Sequence, residues 1–166
     1  LKFLQKHATI PMIKHLDGVC HVFIDDSADI KKSLDISVNS KTNRFGVCNA
    51  METLLVSEKI AVNFLPKVAK ILLKRKVEIR GCDVSRKIVP NLKIASEADW
   101  QEEYLAPILA VKVVTGIDDA INHINKFGSH HTDAIVSENE EHQKRFVREI
   151  ESVSYTHLTL PTKQAV

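Results

Sequence analysis

The chain has 166 residues, of which 44% are hydrophobic and 27% are charged, and its formal net charge is +2. These values are ordinary for a soluble globular protein of one domain or slightly more, and the lysines and arginines form no basic stripe of the kind that binds nucleic acid. No apolar run approaches membrane-spanning length and the three cysteines are widely spaced, so we expect a cytoplasmic protein without disulfides and without a membrane or nucleic-acid partner.

Apolar periodicity alternates between strand and helix patterns along most of the chain. The apolar run at 19–24 predicts a buried strand, and Asp26 or Ser27 is the expected cap of a helix that reaches about Thr42. Further strands are predicted at 53–56, 77–80, 108–114 and 133–137. Further helices are predicted from Ser57 to about Leu73, from Asp118 to the C-cap Gly128, and from the cap Asn139 to Ile150. Between them, 82–100 is predicted to be irregular with a helical turn. This alternation is typical of an α/β fold with a mostly parallel sheet flanked by helices.

The most informative stretch is at 43–56, with the sequence NRFGVCNAMETLLV. In it Cys48 follows a loop glycine, Gly46, shortly before a predicted strand. A glycine there lets the backbone approach a ligand closely, and exposed amides at the start of an element can hold an oxyanion. Cys48 is therefore a candidate nucleophile. The alternative is a small buried hydrophobic residue, which is the commoner situation for a single cysteine.

Three segments resemble the γ-glutamyl phosphate reductases, a family of the aldehyde dehydrogenase superfamily. Residues 46–56, GVCNAMETLLV, closely resemble the family's nucleophile motif. Residues 10–25, IPMIKHLDGVCHVFID, are similar to its segment leading out of the cofactor domain, and residues 120–136, AINHINKFGSHHTDAIV, to its Gly-Ser-x-His-Thr region. The resemblance extends from residue 1 to about residue 152 in the family's order.

This resemblance implies an aldehyde-dehydrogenase-like catalytic domain at 26–152. It also implies that residues 1–25 are the exit segment of a cofactor-binding domain whose main part lies outside the chain. From Val153 the sequence departs abruptly from the family and resembles translated sequencing-adaptor sequence, so residues 153–166 are predicted to be a non-native tail. Residues 156–160 alternate well enough to form an edge strand, which without an evolved partner is expected to pair opportunistically or fray. A native tail would instead require core burial of three side chains, those of Tyr155, Leu158 and Leu160.

The resemblance also implies a reaction, the NADPH-dependent reduction of γ-glutamyl phosphate to glutamate 5-semialdehyde in proline biosynthesis. Cys48 would attack the acyl carbon, release phosphate and form a thioacyl enzyme, with its own amide and neighbouring Asn49 as the oxyanion site. Residues 102–107, EEYLAP, resemble a superfamily element whose second glutamate contacts the nicotinamide ribose, which implies this role for Glu103. The alternative for Glu103 is a solvated acidic turn. Ser129 and His131 are candidates for the substrate side of the site.

Other sites and partners follow from the same reasoning. Neither Cys-x-x-Cys nor His-x-x-x-His spacing occurs among the three cysteines and eight histidines, so no metal site is predicted. No Gly-x-Gly-x-x-Gly loop occurs, so the chain alone is expected to bind NADPH weakly and to be inactive. The resemblance raises a homo-oligomeric parent and an association with glutamate 5-kinase as expectations. Two alternatives stay open: another aldehyde or acyl-phosphate dehydrogenase of the superfamily, and a non-catalytic α/β binding module.

Overall fold

Strands and helices alternate along residues 17–158, the part of the chain that the computed structural model describes. The strands are β1 (Cys20–Ile24), β2 (Met51–Ser57), β3 (Glu78–Gly81), β4 (Lys93–Ile94), β5 (Ile108–Val114), β6 (Thr132–Val136) and β7 (Ser154–Leu158). The helices are α1 (Ile30–Thr42), α2 (Glu58–Lys74), α3 (Asp83–Ile88), α4 (Ile117–Phe127) and α5 (Glu140–Glu149), with a short 3-10 helix at Glu97–Trp100. None of these helices combines the length and the hydropathy that a membrane span requires.

The seven strands form one sheet in the order β4-β3-β5-β2-β1-β6-β7, and every neighbouring pair is parallel. Successive side chains of the central strands enter different cores. Val22 and Ile24 join a core that includes residues of α1 and α2, whereas Phe23 joins a second core with residues of α4 and α5. A parallel sheet covered on both faces needs continuously apolar strands, and β1 is buried at all five positions. The predicted α/β fold is confirmed.

Two predicted helix starts are wrong. α1 is capped by Asp29, whose carboxylate accepts the N–H of Lys32 at 2.7 Å. Ser27 is not the cap, because its hydroxyl contacts the carboxylate of Asp25 at 2.9 Å. α4 begins at Ile117, so Asp118 lies inside its first turn rather than before it.

Gly128 is the C-cap of α4 as predicted, but its conformation is not the expected one, and the segment 82–100 contains more elements than the predicted helical turn. Gly128 ends α4 with φ −68°, so it does not adopt the left-handed conformation that commonly favours a C-cap glycine. Its missing side chain matters in another way, since a Cβ there would lie 2.6 Å from the carbonyl oxygen of Ile124. Within 82–100 the expected helical turn is α3, and two further short elements, β4 and the 3-10 helix, follow it.

The predicted domain limits fall near the ends of the described range. β1 lies within the predicted exit segment 1–25 and is a central strand of the sheet, while the remainder of that segment up to residue 16 lies outside the described residues. At the other end β7 pairs with β6, and Tyr155 is 47% exposed. The side chain of Leu158 and the whole of Leu160 lie outside what the structure describes. The division into domains and the non-native tail therefore stay predictions.

Candidate active site

Cys48 lies at the edge of the sheet where four neighbouring strands begin. The turn that carries Cys48 precedes β2, and Val19 directly precedes β1. Glu103 lies before β5, while Ser129 and His131 lie before β6. Because β5, β2, β1 and β6 are consecutive and parallel, the segments before them meet at one edge of the sheet. The site thus combines four segments that are far apart in the sequence.

The nucleophile candidate lies on an exposed turn. The N–H of Ala50 donates to the carbonyl of Val47 at 3.0 Å and closes this turn, and both Cys48 and Asn49 are exposed. Among the backbone hydrogen bonds of residues 17–158, the amides of Cys48 and Asn49 donate none. Two adjacent N–H groups are therefore available to stabilise a negatively charged oxygen near the thiol.

The carbonyl of Cys48, by contrast, is held by the segment that leads into β1. The thiol of Cys20 donates to this carbonyl oxygen at 3.1 Å. A Cβ added at Gly18 would lie only 2.1 Å from the same oxygen, so the backbone approaches this closely only because residue 18 is glycine. Cys20 is 3% exposed, and burial raises the pKa of its thiol to about 12. It therefore keeps its proton at neutral pH and remains a hydrogen-bond donor.

The other predicted site residues contact the same short segment. Oε1 of Glu103 accepts the N–H of Gly18 at 2.8 Å, and the hydroxyl of Ser129 accepts the N–H of Val19 at 2.9 Å. Nδ1 of His131 lies 4.0 Å from the sulfur of Cys20 and 2.7 Å from the hydroxyl of Thr132. The structure therefore brings Glu103, Ser129 and His131 into the neighbourhood of Cys48.

A buried ion pair closes the base of the loop that carries Cys48. Lys41, in the last turn of α1, and Glu52, on β2, are both at most 1% exposed, and their Nζ and Oε2 atoms lie 2.5 Å apart. Burial lowers the pKa of Lys41 and raises the pKa of Glu52. The attraction between the two charges opposes both shifts. Oε1 of Glu52 also accepts the N–H of Leu105 at 3.3 Å. Glu52 thus joins the Cys48 loop to the segment that carries Glu103.

Four residues of the site were not predicted from the sequence: Gly18, Cys20, Lys41 and Glu52. A weak signal existed for Glu52, because it is a charged residue within an otherwise uncharged strand. Such a residue is rarely fully buried unless it is paired. No comparable local signal marks Cys20, which lies in the mostly apolar strand β1.

A second polar cluster lies at the opposite edge of the sheet, after β1 and β6. Burial opposes ionisation of Asp25, but hydrogen bonds from Ser137, His142 and Ser27 outweigh it and hold the pKa of Asp25 below its ordinary value. Asp25, Asp26 and His142 place potential metal ligands within 4.8 Å of one another. In the structure the carboxylate of Asp25 accepts hydrogen bonds from these three donors, and Asp26 pairs with Lys59 at 2.6 Å.

The three thiols are expected to differ in their reactivity with electrophiles. Cys48 should be alkylated first because it is exposed, and Cys82 should follow because it is half-buried. Cys20 should be slowest, since it is buried and its pKa of about 12 leaves little thiolate at neutral pH. Limiting iodoacetamide followed by peptide mass spectrometry gives the order. Earlier labelling of Cys20 or Cys82 would contradict the assignment of Cys48 as the nucleophile.

Comparison with known proteins gives one clear group of relatives. No family model matches the sequence. Among solved structures, the γ-glutamyl phosphate reductase of Thermotoga maritima is 46% identical with a TM-score of 0.91, over 94% of this chain and 38% of that one. The γ-glutamyl phosphate reductase of Saccharomyces cerevisiae is 27% identical with a TM-score of 0.67, over 94% of this chain and 39% of that one.

A more distant structure shares the fold alone. The acetylating aldehyde dehydrogenase of Geobacillus thermoglucosidasius is 21% identical with a TM-score of 0.64, over 85% of this chain and 40% of that one. The chain therefore spans about two fifths of the length of the structures that it matches. The resemblance to γ-glutamyl phosphate reductases inferred from the motifs is confirmed.

Proposed function

This chain is an aldehyde-dehydrogenase-like α/β protein related to the γ-glutamyl phosphate reductases, and from this relationship we propose that its parent protein reduces γ-glutamyl phosphate to glutamate 5-semialdehyde. The observation that carries the proposal is 46% identity to such an enzyme over 94% of the chain. It is supported by an exposed cysteine beside two backbone amides that donate no hydrogen bond within residues 17–158, at the position of the family's nucleophile motif.

Cys48 is the proposed nucleophile. Its thiolate sulfur forms a bond to the acyl carbon of γ-glutamyl phosphate, and the bond between that carbon and the phosphate oxygen breaks. Phosphate leaves with the bonding electron pair, so a thioacyl enzyme remains. An acyl phosphate is already activated, and this step therefore needs no general base to activate water.

The backbone amides of Cys48 and Asn49 are proposed to hold the charge that develops on the acyl oxygen during this attack. Both residues are exposed, and neither amide donates a backbone hydrogen bond within residues 17–158. A preorganised donor of this kind typically accelerates acyl transfer by roughly 10²- to 10³-fold. Ser129 and His131 are proposed to lie on the substrate side of the site, because they approach it from the β6 end.

The reduction step requires a nicotinamide cofactor, and NADPH would supply the hydride when bound. Glu103 fits a role in holding its ribose, because only one of its carboxylate oxygens accepts a hydrogen bond from residues 17–158. One carboxylate provides too few contacts for a dinucleotide, so the remaining contacts are proposed to come from the parent protein outside these 166 residues. We propose that the parent protein acts in proline biosynthesis in the cytoplasm, as a homo-oligomer with glutamate 5-kinase as its partner.

Assays of the full-length parent test this function in both directions. NADPH oxidation should depend on γ-glutamyl phosphate and release one phosphate per NADPH consumed. In reverse, NADP⁺ reduction by glutamate 5-semialdehyde should require phosphate. Cys82→Ala is a suitable control variant, because Cys82 lies away from the proposed site. Equal activity with coenzyme A in place of phosphate, or higher activity with an unrelated acyl phosphate, would favour another dehydrogenase of the superfamily.

A further inference from the structure

The carbonyl of Cys48 is fixed from two directions, and this has a consequence for the next amide. The thiol of Cys20 donates to the oxygen at 3.1 Å, and the Cα of Gly18 packs closely against it. A trans peptide unit is planar, so the C=O of Cys48 and the N–H of Asn49 lie in one plane and point in opposite directions. Fixing the carbonyl oxygen inside the protein therefore aims the Asn49 N–H towards the exposed side of the turn.

The pairing of β1 with β2 shows a matching irregularity. Cys20 pairs with Met51, but the next residue, His21, pairs with Thr53, so Glu52 is an extra residue in the register. Such bulges bend a strand locally and re-aim side chains, and they occur often beside active sites. Here the bulge lies next to Cys20, whose thiol donates to the Cys48 carbonyl. It also coincides with the buried Glu52, which is paired with Lys41.

We propose that Cys20 is a positioning residue for acyl transfer: its thiol orients the Cys48–Asn49 peptide so that the Asn49 N–H serves as a second oxyanion donor. This inference rests on the proposed function only in assuming that Cys48 accepts an acyl group. Cys20 itself undergoes no covalent change and keeps its proton, because it acts through a neutral hydrogen bond. The role requires a hydrogen-bond donor of small size at residue 20, and serine meets this requirement whereas alanine does not.

The test compares two reactions of Cys48 in the full-length parent. Acylation by p-nitrophenyl acetate passes through an oxyanion, while alkylation by iodoacetamide does not. Cys20→Ala is expected to slow acylation by about 10- to 100-fold, because a displaced donor weakens oxyanion stabilisation. The same variant should alkylate Cys48 within about twofold of the wild-type rate, since alkylation needs no such donor. Cys20→Ser should recover most of the acylation rate.

Two controls separate positioning from general loss of structure and from a wrong substrate. Cys82→Ala removes another partly buried thiol, one that accepts the N–H of Val113 at 3.4 Å, and should leave both rates unchanged. Because p-nitrophenyl acetate replaces γ-glutamyl phosphate and no NADPH is present, the result does not depend on the physiological substrate. With that substrate, Cys20→Ala should lower kcat more than it changes KM. Equal slowing of both reactions, an unchanged acylation rate, or no recovery in Cys20→Ser would overturn the proposal.

Discussion

Replacing Cys48 by alanine is expected to lower turnover of the parent protein by roughly 10⁴- to 10⁶-fold, because the covalent route is lost with the sulfur atom. The melting temperature should stay essentially unchanged, since Cys48 is exposed and its side chain fills no core space. Initial rates of phosphate-dependent NADP⁺ reduction, together with thermal unfolding, measure both effects. Cys48→Ser is expected to be almost as inactive, because an un-ionised hydroxyl is a much weaker nucleophile than a thiolate.

The assignment of the nucleophile depends on this separation between activity and stability. A Cys48→Ala variant that keeps more than a tenth of wild-type turnover would show that another group carries the acyl intermediate. A variant that loses activity and also has a much lower melting temperature would show that Cys48 has a structural role. An exposed side chain is not expected to have one.

Removal of one partner of the Lys41–Glu52 pair is expected to produce the largest loss of stability. Lys41→Met leaves the Glu52 carboxylate buried without its cation, which typically costs about 3–5 kcal/mol of unfolding free energy. Adding Glu52→Gln should recover much of this loss, because the double variant buries no charge and Gln retains an acceptor for the N–H of Leu105. Urea unfolding of the single and double variants provides the coupling energy between the two residues.

An exposed ion pair serves as the control for this cycle. Lys144 and Glu140 lie 3.4 Å apart on α5, and both side chains are more than three quarters exposed. Lys144→Met should leave the unfolding midpoint unchanged, because exposed pairs contribute little. Two results would contradict a stabilising role for the pair. One is an unchanged unfolding midpoint for Lys41→Met, and the other is a double variant that is no more stable than the less stable single variant.

The fold could largely be predicted because its main elements have strong local patterns. β5 has the bounds that its apolar run predicts, and α5 is capped by Asn139 as expected. The start of α1 was wrong because Ser27, a good cap by composition, is engaged by Asp25. The short elements in 82–100 have no periodic pattern of their own. They depend on tertiary contacts such as the one from the Ala95 N–H to the Gly81 carbonyl at 3.0 Å.

Residues of the site could be predicted only where a short motif in one segment indicates their role. Cys48 stands out in one short motif, and Glu103 in another. Cys20 and Gly18, however, become site residues only through their contact with a carbonyl about thirty positions away in the sequence. That contact depends on the register between β1 and β2, including its bulge, and no periodicity within either strand specifies it.

The convergence of four distant segments also determines when the site can assemble during folding. β1 pairs with β6 across 112 residues, and this contact places Ser129 and His131 beside the segment that holds Cys48. To form such long-range parallel pairs, the chain must close large loops before the strands gain stabilising contacts. Proteins rich in such contacts therefore fold slowly. The nucleophile turn is therefore synthesised before β6 but reaches its final surroundings only after β6 has joined the sheet. Iodoacetamide reactivity of Cys48, followed during refolding, would report this last docking step.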